Sequence, residues 1–244
     1  AVFDTTLWVA RALHPSPVRG VDPVAADRLG AGLDQPTVPL MDRWDQALLA
    51  AANGDRELYA RTKAVMWVES GGRQYAVSST GCLGLMQFCA STARTKPVHA
   101  IFGRGQVTAC GCRDCGVPRD VANDLETDPA AVARVGERFP CPLTDARFDP
   151  DKAIRAGTAW VEKLGRDVGD NLLLVYVSYN SGPAVGRAVF RATGKRSDVT
   201  LDELRPHLVD ALAPHYGRSA AGRAQGLLDV HLPKLQRAYE RWRW

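Results

Sequence analysis

The hydrophobic pattern of this chain has a helical period over most of its length. In residues 41–70, Trp44, Leu48 and Leu49 and then Leu58, Val65 and Val68 form two apolar stripes, split at Asn53-Gly54. That dipeptide stops a helix, so two helices are expected, the second ending at Ser70-Gly71-Gly72. After Asp149-Pro150, a helix-start signal, Ile154, Gly157, Val161, Leu164 and Val168 recur every three or four residues on one face. Residues 171–180 are apolar all round, which predicts a helix buried on every side. Another helix is read over Pro183 to Ala192. Near the C-terminus Leu228, Leu232, Leu235, Tyr239 and Trp242 form a further stripe, with a kink expected at Pro233.

The remaining stretches carry weaker patterns. Residues 1–40 are rich in Pro, Gly and Asp, with a short helix read around Leu7 to Leu13; they are expected to be an N-terminal extension on the core. Residues 73–84 lack helical periodicity and predict a loop or short β-ribbon, with helix resuming near Leu85 and stopping before Pro97. Residues 97–148 read as a Cys-rich irregular insertion, with a short helix near Pro129 to Val135; so long an irregular segment is unusual within a compact domain. The expectation is a mainly α fold with a small β or loop region. Residues 41–244 form one domain and 1–40 its extension.

Composition narrows the class. The 244 residues are 45% apolar and 24% charged, which excludes disordered and collagen-like chains. At roughly 150 residues per domain, one large domain or one domain with an extension is expected. The longest apolar run, Leu172 to Val177, is far short of a membrane span. A net charge of +4 is mild and its basic residues are scattered, which favours a polyanionic surface such as a bacterial wall over nucleic acid.

The six cysteines are Cys82, Cys89, Cys110, Cys112, Cys115 and Cys141. An even, clustered count suits disulfides and an oxidising compartment, but many pairings are possible and the sequence selects none. Four thiolates on zinc, from Cys110, Cys112, Cys115 and Cys141, are the alternative, although their spacing is not that of two ordinary zinc knuckles. The start at Ala1 fits a processed, secreted chain or a trimmed one.

Four segments carry the candidate chemistry: Glu69-Ser70-Gly71-Gly72; Ser78-Ser79-Thr80-Gly81-Cys82-Leu83-Gly84-Leu85-Met86-Gln87; Phe148-Asp149-Pro150 with the stripe that follows; and Tyr179-Asn180-Ser181-Gly182-Pro183. Glu69 follows the apolar Val65-Met66-Trp67-Val68 and lies in the last turn of its helix, where the macrodipole disfavours an acid. An apolar flank and a helix C-terminus both raise a carboxyl pKa, as a general acid near neutral pH requires. A solvated surface glutamate is the alternative reading of such a residue taken alone.

In order and spacing these segments resemble the soluble lytic transglycosylases, the lysozyme-like enzymes of glycoside hydrolase family 23, over about residues 58–192. The resemblance implies a helix-rich lysozyme-like fold that cleaves the bond between N-acetylmuramic acid and N-acetylglucosamine in peptidoglycan. It implies one carboxylate, Glu69, acting as acid and then base, with the substrate's acetamido oxygen stabilising the developing cation and its C6 hydroxyl attacking C1. Ser78 would bond the Glu69 carboxyl or the acetamido group, or is simply a turn serine. Gly84, Leu85, Met86 and Gln87 would form the cleft floor, with Met86 either a sugar contact or plain core. Tyr179 would lie near the N-acetyl group and Asn180 would orient the next turn; Tyr176 is a weaker candidate on the same helix side. Buried, satisfied polar side chains are the alternative for these.

The sequence departs from family habit at Cys82 and Ser181, where alanine is common. Goose-type lysozymes share Gly-Leu-Met-Gln but place an Asp shortly after it, where this chain has Phe88-Cys89. That departure favours transglycosylation, unless Asp114, Asp120 or Asp124 of the insertion supplies a second carboxylate. A muramidase or chitinase-like hydrolase, or a silent glycan-binding module, are the rival functions. His99, His207, His215 and His231 lie near no carboxylate cluster in the sequence and read as surface or packing residues. Arg241-Trp242-Arg243-Trp244 reads as a helix end with packed Trp, against a membrane or glycan contact. No metal or cofactor is implied; the expected partner is the glycan strand, the expected state a monomer, and the expected place the periplasm or exterior.

Overall fold

A computed structural model describes residues 41–107 and 145–243. The expected elements at Leu7–Leu13 and Pro129–Val135, and Cys110, Cys112, Cys115, Cys141, Asp114, Asp120 and Asp124, lie outside the described residues.

Helix α1 spans Asp45–Ala51 and α2 Arg56–Ser70. Between them Asn53 and Gly54 take left-handed backbone angles, as their sequence signal predicts. The Asp55 side chain caps α2 by accepting from the Glu57 and Leu58 amides. Gly71, at φ 64°, ends it and returns its N–H to the Trp67 carbonyl.

Residues 71–89 fold as a tight ribbon, with antiparallel bridges pairing Val77 with Leu83 and Leu83 with Phe88. The Cys82–Cys89 disulfide closes it. The helix expected from Leu85 does not start there. Gly84 and Gln87 both have positive φ, 77° and 48°, so Gly84 to Gln87 turns back on itself and helix α3 waits until Ala90–Ala93. A further short helix, α4 at Val98–Phe102, occupies the start of the stretch expected to be irregular.

A buried ion pair fixes this ribbon from behind. Asp145 and Arg147, both inaccessible to solvent, join through two charge-assisted bonds of 2.7 and 2.9 Å. Arg147 also donates to the Phe88 carbonyl at 3.1 Å. Its own carbonyl lies against Gly84: a methyl there would sit 2.0 Å from that oxygen. Gln74 completes the clasp by donating to the Phe148 carbonyl at 3.1 Å.

Helix α5, Pro150–Val168, is capped by Asp149 and buries Ile154, Gly157, Val161, Leu164 and Val168 as the spacing predicts. It packs on α1, α2, α4 and the next two helices. Helix α6, Leu172–Ser181, is buried from Leu173 through Ser178, which accounts for its apolar circumference. Gly182, at φ 97°, breaks the chain before α7, Pro183–Ala192.

The C-terminal region wraps this centre. Helix α8, Leu201–Tyr216, opens with a Thr200–Glu203 capping box. Helix α9, Ala220–Gly226, widens into a π turn over Leu227–His231 before α10, Leu232–Trp242. The wide turn ends two residues before Pro233, whose missing N–H interrupts the regular ladder at the place where the sequence predicts a kink. Helix α10 packs against α2 and α6, with Trp242 edge-on to Trp67 at 6.1 Å. The buried Lys63 of α2 ties the N-terminal side in, contacting Asp42 at 3.0 Å, Asp45 and the face of Trp242. No strand occurs among the described residues beyond the isolated bridges, so the mainly α expectation holds.

Candidate active site

Glu69 occupies the last turn of α2 because Gly71 and Gly72 end the helix there. The residue is partly exposed, yet its Oε1 is enclosed and has no hydrogen-bond partner among the described residues. Trp67 Nε1, two residues earlier, is the other buried side-chain polar atom in that state among the described residues. Unmet hydrogen-bonding capacity is thus concentrated at the end of α2, unusual in a folded interior.

Burial pushes the Glu69 carboxyl up to about 7, against the opposing pull of the Tyr176 hydroxyl and the Lys234 charge. These two are the groups that act on it among the described residues; no other carboxylate does. A carboxyl placed so is half protonated near neutral pH and can give or take a proton there.

Helix α6 faces this carboxyl with two tyrosines. Tyr176, completely buried, brings its hydroxyl close enough to Glu69 to favour the carboxylate, and the Asn180 side chain acts on the same phenol. Tyr179 turns its hydroxyl to the Met86 carbonyl, donating at 2.7 Å, and its ring lies 6.0 Å from that of Phe88. Burial foremost, and the nearby Glu69 charge second, hold both phenols protonated, well above their ordinary range. Of the two, Tyr176 is the one whose hydroxyl favours the Glu69 carboxylate, while Tyr179 is turned to the Met86 backbone.

The Gly84–Gln87 turn supplies the floor. Leu85 and Met86 are both wholly buried, and Met86 packs where α5 has Gly157, as core packing of its side chain requires. Gln87 donates from Nε2 to the carbonyls of Ala76 and Gly84, both at 2.9 Å. Ser78 stays in its own turn: its Oγ accepts from the Cys82 amide at 2.9 Å and shares a bond with Thr80 at 3.0 Å. It makes no hydrogen bond to Glu69 among the described residues, and its bonds are those of a turn serine.

Two members of the site were missed in the sequence. Lys234 of α10 donates to the Trp67 carbonyl at 3.3 Å, over the Trp67 ring at 5.1 Å, and its charge reaches Glu69. His231 reads as a surface or packing residue in the sequence, but its Nδ1 is 3.4 Å from the Tyr176 hydroxyl. Neither sits in a motif. The available signal was their place beside the Leu228–Leu232–Leu235 stripe, which says that they border the core but not what they border.

A family model described as the transglycosylase SLT domain matches residues 46–102 and 127–201, more than half of the chain. The chain belongs to this family. Among curated proteins and among solved structures nothing matches. As a transglycosylase SLT domain, the chain is of the lysozyme-like superfamily, and its substrate class is peptidoglycan. The matched stretches hold Glu69, the Gly84–Gln87 turn, Tyr176, Tyr179 and Asn180; they leave out residues 103–126, with three of the six cysteines, and everything after 201. No helix of the described residues is long and apolar enough to cross a membrane.

Proposed function

We propose that this SLT domain is a peptidoglycan lytic transglycosylase in which Glu69 alone serves as general acid and then general base. The observation that carries the reading is the Glu69 carboxyl itself: enclosed, unpartnered at Oε1, raised to about 7, and without a second carboxylate acting on it among the described residues. Glu69 protonates the oxygen linking N-acetylmuramic acid to N-acetylglucosamine, and the C1–O bond breaks. The acetamido oxygen of the same muramyl residue meets the positive charge at C1. The Glu69 carboxylate then removes the C6 hydroxyl proton, O6 bonds to C1, and the 1,6-anhydro sugar leaves with Glu69 protonated again. No water is consumed, so the two-carboxylate arrangement of most glycosidases is not needed.

The other residues follow from their contacts. Tyr176 steadies the carboxylate between the two steps, and Lys234 favours that charged state from the side of α10. Gln87, with both observed bonds made through Nε2, keeps its side-chain carbonyl for a sugar hydroxyl or N-acetyl N–H. Tyr179 holds the Met86 backbone, and with it the turn that presents Gln87. Residues 41–244 act as one domain carrying a Cys-rich insertion, with 1–40 as an extension, in the cell envelope as a monomer; the Cys82–Cys89 disulfide agrees with an oxidising compartment.

The test is digestion of purified sacculi with mass spectrometry of the muropeptides. Anhydromuramyl products are expected from the native chain, with Glu69→Gln slower by roughly 10²–10⁴-fold or more. Reducing-end products would replace this reading by a hydrolase, and glycan binding without turnover by a binding module.

A further inference from the structure

Tyr176 has one proton and several neighbours that can take it. Its buried hydroxyl lies 3.4 Å from His231 Nδ1, and it is near enough to the Glu69 carboxyl to favour the charged form of that acid. The His231 ring is stacked on the phenol, with centroids 6.2 Å apart and planes 25° from parallel. The imidazole is presented by the π turn Leu227–His231, an irregularity often found at functional positions. The Glu69 reading gives the carboxyl two states in one cycle, an acid and a base, and these ask opposite things of Tyr176. A carboxylate accepts the phenol proton, whereas a carboxylic acid has its own proton to give.

We propose that His231 is a positioning residue for this reaction, its Nδ1 accepting the hydrogen bond of the Tyr176 hydroxyl while Glu69 is an acid and leaving that hydroxyl free to turn to Glu69 while Glu69 is a base. The inference rests on the assignment of Glu69 above. In the first state the hydroxyl donates to an unprotonated Nδ1, and the imidazole hydrogen is on Nε2. Once Glu69 has given its proton to the leaving sugar oxygen, the hydroxyl turns to the new carboxylate. The imidazole hydrogen is then on Nδ1, exchanged through solvent at the half-buried ring, and donates to the phenol oxygen. No charge is added to His231 in either state.

The surroundings suit a neutral ring. Burial first, and then Lys234 of α10 and Arg223 of α9, hold His231 below its ordinary range. Lys234 in turn feels Arg73 and Arg237. Facing the ring from α6 is Tyr176, with Asn180 of the same helix and Glu69 of α2 beyond its hydroxyl. An imidazolium would lack the acceptor that the first state requires.

The test is the pH profile of kcat/KM for His231→Phe and His231→Asn, each repeated on Tyr176→Phe, with thermal melts as a check on folding. His231→Phe leaves the hydroxyl turned to Glu69 throughout, so the alkaline limb should move down by about one pH unit, with roughly fivefold less activity at neutral pH. His231→Asn, which places a polar atom near the Nδ1 position, should recover most of that loss. On the Tyr176→Phe background the His231 substitutions should change the limb no further. An unmoved limb in a folded His231→Phe, or an equal shift without the Tyr176 hydroxyl, overturns the proposal while a dead Glu69→Gln leaves the acid assignment standing. Full turnover in Glu69→Gln overturns both.

Discussion

The Met86 side chain lies where any side chain on Gly157 would have to be: a methyl on Gly157 would come within 2.5 Å of Met86 Cε and 2.7 Å of its Cγ. The ribbon turn and the long helix α5 are thus fitted to each other at one point. Gly157→Ala should move Met86, and with it the Gln87 turn, destabilising the fold by about 1–3 kcal/mol. A larger rise in KM than fall in kcat, with the melt taken alongside, checks that the turn and not the acid is disturbed.

Gly84 is bound by a harder constraint. A side chain there meets the Arg147 carbonyl at 2.0 Å, a backbone atom that cannot swing away, and the residue also has φ 77°. Gly84→Ala is expected to cost roughly 2–4 kcal/mol, combining positive-φ strain with displaced backbone. Urea unfolding of the variant measures it; a loss under about 1 kcal/mol would mean that the ribbon yields easily.

The Asp145–Arg147 pair makes an asymmetric prediction. Arg147→Met removes the guanidinium from a buried carboxylate and should destabilise by about 3–5 kcal/mol at neutral pH. Replacing both, with Asp145→Asn added, should recover part of that loss. Equal losses in the single and double variants would show that the Arg147 bond to the Phe88 carbonyl, and not the charge pairing, carries the effect.

Glu69 should weaken the protein it serves. Its carboxyl titrates near 7 when folded against an ordinary 4.5. Between those pH values the folded chain holds a proton that the unfolded chain has lost, so stability falls as pH rises through the window and then levels off. Glu69→Gln removes that loss. It should match the native chain below about pH 4.5 and exceed it above pH 7 by about 1–3 kcal/mol. Denaturation curves at pH 4 and pH 8 decide it; an equal difference at both would point to packing, not titration.

Reduction should act on the ribbon before the helices. The Cys82–Cys89 loop is short, with a separation of 7, so opening it is expected to cost only about 2 kcal/mol of global stability. The Gly84–Gln87 turn lies wholly inside that loop, so KM should rise on reduction. Comparison with a Cys82→Ser/Cys89→Ser variant isolates this pair from the other cysteines.

Much of this was legible in the chain because the helices are long and periodic. The α5 face from Ile154 to Val168, the all-round burial of α6 and the stops at Asn53-Gly54 and Gly71-Gly72 each follow from local chemistry that tertiary packing reinforces. Leu85 is the counterexample. Its neighbours favour helix, but Gly84 must adopt a left-handed angle to admit the Arg147 carbonyl, a contact 63 positions away in the chain, and the helix gives way to a turn. Glu69 was legible through its apolar flank. His231 and Lys234 were not, because their importance arises only when α10 is laid across α2 and α6.

That crossing bears on where this domain can be cut. The stretch matched by the family ends at residue 201, yet Lys234 sits on the Trp67 carbonyl, Trp242 rests against Trp67, and Lys63 is roofed by the same indole. A fragment trimmed to the family boundary would keep every motif residue and lose the cover over the far side of α2. Water would then reach the helix that carries Glu69, and the carboxyl would drift back toward an ordinary acid. The cover over α2 thus reaches about 40 residues past the matched stretch, and on the proposed reading the proton of Glu69 depends on it.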